Sequence, residues 1–575
     1  MLRRPLLWLA LLCHLLFAGG YAFATPAFEG PDENAHFQYA WHLANGGGLP
    51  VTPQLAAAQG RGPLDQTVVL AHHPPLYYAL LAAVLVARGE TDTVEAFRTN
   101  PTFGQPGQPG RYLRFQHGDD ERAPVAAGMR LLIALRLVGV GLGLLTLLCV
   151  HALGRVACPD QPRVADVATL LAACLPMWSF ASGVLNSDAL ANLLAAATLL
   201  RLACCARERG FGWGAAAQLG LLLGLALLTK VTTLFLVPVA AVTVMFAAPR
   251  GERLAALGRG LFAIALALAV AGWWLVRNLQ LYGDPLALAA HDAAFPPIPA
   301  EAVSGWFWGG FLPQIATSLL GTFGWFALPP HPVLVWIGGA AALAALLGLA
   351  LPAATPRPRP LWLLLLACGL VFAATAHFNL KAPQPQGRLL FPALAPGAVL
   401  AAAGLLRAGA VLRLPPLRLA WLAVPPLAAT LVAWLWFAPA FRAGLAPADA
   451  HFASLTGGIV ADPDDHTPRP VVWRTPLPEG PCSEPPRLPF APPRDTPPDA
   501  VWSLYAYDAD GRIWLASHEW GASVTGSEAL LPAAAWQFLP TDRDVFVVLR
   551  RVPDYAHGER LEAMPRSKPL RLRRR

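Results

Sequence analysis

Eleven apolar stretches recur along this chain, and they constrain it more than any other feature. A segment immersed in hydrocarbon must satisfy its own backbone hydrogen bonds, which leaves helices or closed barrels. Crossing as a helix takes about 20 mostly apolar residues. The stretches lie at 6–24, 133–153, 164–185, 189–206, 215–229, 232–248, 260–276, 332–351, 361–377, 389–406 and 417–438. They predict an all-α polytopic bundle of about 11 transmembrane helices. The balance of residues agrees: of 575, 55% are hydrophobic and 14% charged, against about 25% charged in soluble domains. A large soluble enzyme is excluded. The net charge of +8 does not point to nucleic acid, because no basic stretch is interleaved with aromatics.

Charge gives an independent orientation. With the N-terminus inside, the inside loops hold Arg3 and Arg4; Arg155 and Arg163; Arg207 and Arg209; Arg250, Arg253 and Arg259; Arg357 and Arg359; and Arg407, Arg413 and Arg418. The short outside loops hold isolated cations, namely Lys230, Arg277, Lys381 and Arg388. This is the positive-inside pattern of a multi-pass cytoplasmic (inner) membrane protein. The first apolar run reads as an uncleaved anchor, although "AFA" at 22–24 has the small-x-small look of a signal-peptide cleavage site. Residues 1–438 then form the membrane domain. It has a first outer loop at 25–130, a second at 277–331, and within the first two predicted surface helices, 31–45 and 72–88. Residues 439–500 are a Pro-rich linker. Residues 501–575, with "VWSLYAY", "RIWLAS" and "VFVVLRR", predict a small β-containing extracytoplasmic domain. The stretch from Gly89 to Pro124 is polar and rich in Gly and Pro, the composition of a flap. Eight cysteines are scattered with no zinc spacing, most of them inside apolar runs.

The segment "PDENAHFQYAWHLANGGGLP" follows the first span directly. Asp32 and Glu33 precede His36 by four and three residues, so a helix brings all three to one face. Acidic residues in a first helical turn also suit the helix dipole, and that reading stands at even odds with a carboxylate–imidazole site. Such a set acts as a base or holds a metal; Asp32, Asp188 and His36 are the metal candidates. Asn186 and Asp188 occupy the outer turn "NSDALAN", where turn and cap chemistry is the plain alternative. In "HHPPLYYALLAAVLVAR", Tyr77 and Tyr78 are expected at headgroup level, with His73 beside them. Paired tryptophans in "WWLVRNLQLYGDPLA" read as interface anchors, and Arg277 there lies on the side where the charge rule does not explain it. Lys381 and Arg388 flank the outer entry to the tenth span. A guanidinium there is a forked phosphate donor or a snorkelling anchor.

Taken together and in order, "PDENAHFQYAWHLANGGGLP", "HPPLYYALLA", "NSDALAN", "WWLVRNLQLYGDPL", "FGWF" and "QGRLLFP" resemble the GT-C glycosyltransferase superfamily over residues 1–438. The resemblance is to a bacterial group of predicted GT-C-like membrane proteins and, more distantly, to protein O-mannosyltransferases and the lipid A aminoarabinose transferase. It implies a GT-C-type bundle and a sugar donor on polyprenyl phosphate, used outside the membrane on a cell-envelope glycan, lipid or protein. It further implies a catalytic carboxylate matched by Asp32, with Glu33 beside it, and a second-loop acidic position matched by Asp188. Arg388, Arg277, Lys381, His73, Tyr77 and Asn186 are the expected substrate or phosphate contacts. No cofactor is certain; a divalent ion is left open, since no "DxD" pair is present. A transporter or flippase of lipid-linked sugars and a non-catalytic lipid-binding envelope protein are the rival readings. No internal repeat of the transporter kind is seen.

Overall fold

A computed structural model describes residues 5–59, 68–89, 111–115, 117, 127–294, 307–351, 359–412 and 419–442, with seven short strand segments beyond. The chain is a multi-pass membrane protein. Among the described residues eight helices are long and apolar enough to span: Pro5–Ala24 (α1), Met129–Ala157, Asp188–Glu208, Arg250–Tyr282, Pro332–Ala350, Pro360–Asn379, Gly387–Val411 and Ala423–Arg442. A ninth arises if Pro162–Ala173 and Pro176–Ser182, bent 66° from one another, cross together.

The expected count of about eleven is therefore corrected. The third apolar stretch is the bent pair, broken where Pro176 enters the chain and cannot continue the helical ladder. The fifth and sixth are short helices, Trp213–Leu227 and Val231–Ala247. At about 1.5 Å per residue the first of these rises only about 22 Å, less than the roughly 30 Å of hydrocarbon. With the bent pair crossing, the two short helices leave the parity of later loops unchanged whether both cross or both turn back.

Elements near the site are labelled α2 (Glu33–Ala44), α3 (Pro53–Ala58), α4 (Leu76–Arg88), α5 (Ala127–Ala157), α6 (Pro162–Ala173), α7 (Pro176–Ser182), α8 (Asp188–Glu208), α9 (Trp213–Leu227), α10 (Leu236–Ala247) and α11 (Arg253–Tyr282). α5 packs against α1, α6 and α8, and α9 lies along α11. Small residues allow that last approach, as expected where lipid supplies no hydrophobic drive between helices. A Cβ on Gly220 would stand 2.6 Å from the Ala263 carbonyl oxygen, and one on Gly224 3.0 Å from that of Ala267.

The two expected surface helices are present as α2 and α4, which pack on each other. Tyr77 and Tyr78 differ from expectation: both are 0% exposed. They turn inward onto α2, where Tyr39 stacks on Tyr78 with ring centroids 4.0 Å apart. Most of the flap lies outside the described residues, but Arg111–Phe115 and His117 are held against the start of the loop, as described below. Beyond Arg442 the strands pair antiparallel in two small sheets. The expected C-terminal domain as a unit, and its linker, lie outside the described residues.

Candidate active site

The chain leaves α1 and turns sharply before α2. Two residues in that turn, Phe28 and Asp32, have positive φ, 62° and 63°. Asp tolerates the left-handed region better than most L-residues. The consequence at Asp32 is directional. Its backbone carbonyl accepts from the His36 N–H at 3.0 Å, yet its side chain does not cap the helix. The carboxylate points away and takes the Nη2 of Arg388 at 2.9 Å, across 356 positions of sequence. Arg388 is itself steered by Gln386, whose Oε1 accepts from Nε at 2.6 Å. Its Nη1 has no hydrogen-bond partner among the described residues.

Surrounding protein tends to raise the Asp32 carboxyl, but the Arg388 guanidinium, with help from His36 and Arg114, outweighs this and holds it below the ordinary 3.8. The side chain remains 45% exposed. An ionised, reachable carboxylate is the result.

Glu33, next in sequence, has a different fate. It is fully buried with both oxygens engaged by Arg136, from Nε at 2.7 Å and Nη2 at 2.6 Å. Leu185 N–H adds a third bond to Oε1 at 2.9 Å. The remaining donors of Arg136 reach the carbonyls of Ala22, Thr25 and Pro26. This one pair ties the end of α1, the start of α2, α5 and the turn before α8 together. Glu33 was expected to share the catalytic role. It is buried, with three of about four acceptor positions filled by Arg136 and Leu185, the setting of a strut. Glu29 serves similarly, accepting from the backbone of Arg114 and Phe115 and bonding His117 Nε2 at 2.9 Å. Arg114, so placed, lies over Trp325 at 4.0 Å.

A second pair lies near the first. Lys230, at the junction of α9 and α10, bonds Asp188 at the start of α8 at 2.6 Å. His36 feels Asp32, Lys230, Arg388 and Asp188 together, which gathers the five ionisable groups around one place. Burial, only partly offset by Asp32, pushes the His36 imidazole down to about 3. Its Nδ1 is 2.9 Å from the Tyr78 hydroxyl. The same hydroxyl is 3.0 Å from Nδ1 of His73.

Other expected contacts are placed elsewhere. Asn186 donates its amide to the carbonyls of Ala181 and Val184, holding the turn. Arg277 belongs to α11 rather than to the loop after it. It donates to the carbonyls of Leu49 and Pro50 at 3.3 and 2.7 Å and lies over Trp274 at 4.8 Å. Lys381 is exposed on the connection after Asn379. Of the three cations expected at the phosphate, Arg388 alone meets Asp32; Lys230 joins it from a position the sequence presents only as an isolated outer charge. The three metal candidates, Asp32, Asp188 and His36, are placed near one another but paired differently. Among the described residues no three His, Cys, Asp or Glu side chains form a group able to hold an ion, and Asp32 and Asp188 are each neutralised by a cation instead.

The arrangement offers one open carboxylate, two cations with donors to spare, and a buried imidazole whose outer nitrogen is free of other bonds. No family model matches the chain, and neither does any curated protein. Solved structures of two proteins are distantly similar to it. ArnT from Cupriavidus metallidurans in the apo state is 14% identical, with 81% of each chain covered and a TM-score of 0.46. The same protein bound to undecaprenyl phosphate gives 15%, 82% of each chain and 0.44. The apo oligosaccharyltransferase of Archaeoglobus fulgidus gives 15%, 79% of this chain and 0.44; the chain spans 57% of that protein's length. Likeness at this level is distant, so the site is read from its own geometry.

Proposed function

We propose that this chain is a membrane glycosyltransferase. It moves a sugar from a polyprenyl-phosphate donor to an extracytoplasmic acceptor by a single inverting displacement, with Asp32 as the base. The observation that carries the reading is the Asp32–Arg388 pair: an ionised, 45% exposed carboxylate held beside a guanidinium with a free Nη1, directly after the first span.

A lipid phosphate leaves without protonation, so one base suffices. Asp32 accepts the acceptor hydroxyl's proton as that oxygen attacks the anomeric carbon. The bond from that carbon to the phosphate oxygen breaks, and its electron pair stays on the phosphate. Negative charge grows there, where Arg388 and Lys230 supply donors that need no reorganisation. Asp188 holds Lys230 in place, and Asp32 positions Arg388 before the donor arrives. A carboxylate at the exit of the first span meets a headgroup because its substrate is a lipid.

The test uses membranes from an overexpressing strain and synthetic undecaprenyl-phosphate hexoses and pentoses with labelled sugar. Asp32→Asn is expected to lower transfer by about 10²–10⁴-fold with the protein folded and the donor bound. Arg388→Ala is expected to lower it by about 10²–10³-fold. Full activity in Asp32→Asn would falsify the assignment. Lipid movement across the bilayer with no transfer by any form would favour the flippase.

A further inference from the structure

One hydroxyl sits between two histidines. Tyr78 Oη is 2.9 Å from His36 Nδ1 and 3.0 Å from His73 Nδ1. The phenol has one proton and accepting lone pairs, with the Ser187 side chain as a further neighbour; when it donates to one Nδ1 it accepts from the other. The two imidazoles are then locked in opposite tautomers, and reversing the pair moves a proton from one outer nitrogen to the other. His36 follows Asp32, the N-cap residue of α2, by four positions, and the two side chains are near enough to act on one another electrostatically. Its Nε2 has no hydrogen-bond partner among the described residues. At the other end, the ring of His73 lies 4.6 Å from that of His72, which lies 5.6 Å from His291. His291 contacts the half-exposed Asp292 at 3.1 Å.

We propose that His36, Tyr78 and His73 form a proton relay that clears Asp32 after each transfer. This deepens the reading of Asp32 as base and rests on it. The protonated Asp32 carboxyl gives its proton to His36 Nε2. The Nδ1 proton of His36 passes to the Tyr78 oxygen while the Tyr78 proton passes to His73 Nδ1. His73 releases its Nε2 proton outward in the same movement, so no imidazolium persists. Asp32 is again a carboxylate and all three relay groups are again neutral. The starting arrangement is restored by a turn of each imidazole and of the Tyr78 O–H, which presents an unprotonated ring nitrogen to Asp32 again and returns no proton to it.

Two further facts support it. Burial pushes both imidazoles down, His36 to about 3 and His73 well below its ordinary value, with His72 and Lys230 adding to the effect at His73. Neutral rings are what a tautomer switch needs. The neighbouring acid Glu33 is closed off by Arg136, so it offers the proton no alternative landing place.

Tyr78 is a positioning residue, and its test needs readouts that mere packing would not move. Protein labelled with [15N]histidine in nanodiscs is expected to show complementary tautomers at His36 and His73. Tyr78→Phe keeps the ring stacked on Tyr39 and should abolish the complementarity. In labelled-sugar transfer from undecaprenyl-phosphate sugars, Tyr78→Phe should lower kcat about tenfold or more with donor KM unchanged. It should also straighten a curved proton inventory in mixed H2O and D2O. His73→Asn keeps a hydrogen-bond partner for Tyr78 but cannot relay, so it should behave like Tyr78→Phe. Rescue by His73→Asn, wild-type turnover in Tyr78→Phe, or one fixed tautomer shared by both histidines would each overturn the relay. An inactive Asp32→Asn beside a fully active Tyr78→Phe removes the relay alone; a fully active Asp32→Asn removes the base and the relay's purpose with it.

Discussion

Asp32 and Glu33 are adjacent, chemically alike and oppositely employed. Glu33 is buried against Arg136, and breaking such a pair leaves a charge without compensation. Glu33→Gln is expected to cost about 3–5 kcal/mol, seen as a lower thermal midpoint in detergent. Asp32→Asn, at a reachable carboxylate, should move the midpoint far less while stopping transfer. Equal midpoint losses in the two variants would contradict this division. His36 adds a pH signature. Its folded value is about 3 against an ordinary 6.5, so below pH 6.5 the unfolded chain binds a proton that the folded chain refuses. Stability is then fully present above 6.5 and falls as pH drops toward 3. Asp32, lowered from 3.8, contributes stability present above that value and lost only below it. His36→Asn should therefore flatten the limb between about pH 6.5 and 4 in a series of thermal midpoints. An unchanged limb would place the acid sensitivity elsewhere; His73 acts in the same direction.

Among the elements, the short pair α9–α10 is the least expected. Its junction carries Lys230 to Asp188 at the start of α8, and the two side chains are 18% and 6% exposed. Two short helices are thus tied at their apex by a largely buried ion pair. Removing one partner strands the other, whereas removing both removes the cost of the stranded charge. Asp188→Ala and Lys230→Ala are each expected to destabilise by more than the double variant's additive share, giving a coupling of about 0.5–3 kcal/mol in a double-mutant cycle. Strict additivity in thermal unfolding would show that the pair does not hold the apex. The same cycle read by transfer should leave both single variants slow, because each disturbs a cation next to Arg388.

For the whole molecule, orientation is the testable property. The eleven apolar stretches become eight full spans, one bent pair and two short helices, and the expected alternation of loops holds if the bent pair crosses. Single cysteines at Asn45 and Gly283 are expected to react with a membrane-impermeant maleimide in intact cells. Cysteines at Gly210 and Gly251 should react only after the membrane is opened. Labelling of both Gly210 and Asn45 from outside would make the bent pair re-entrant; protection of Asn45 in intact cells would move Asp32 to the cytoplasmic face.

Much of this was legible in the chain. Apolar length and the "NGGG" stop determined the multi-span membrane character of the chain and the helix that follows Asp32 and carries His36, because each depends on residues close in sequence. What only the tertiary structure decided is which acid is free and which cation serves it. Arg136 reaches Glu33 across 103 positions, and Arg388 reaches Asp32 across 356. Arg136 lies inside an apolar run, where it reads as part of a span, and Lys230 reads as an isolated outer charge. Tyr77 and Tyr78 were expected at the headgroups because an amphipathic pattern marks a covered face without naming its cover, here α2. Burial and charge pairing are set by long-range packing, and no local pattern of residues encodes the partner.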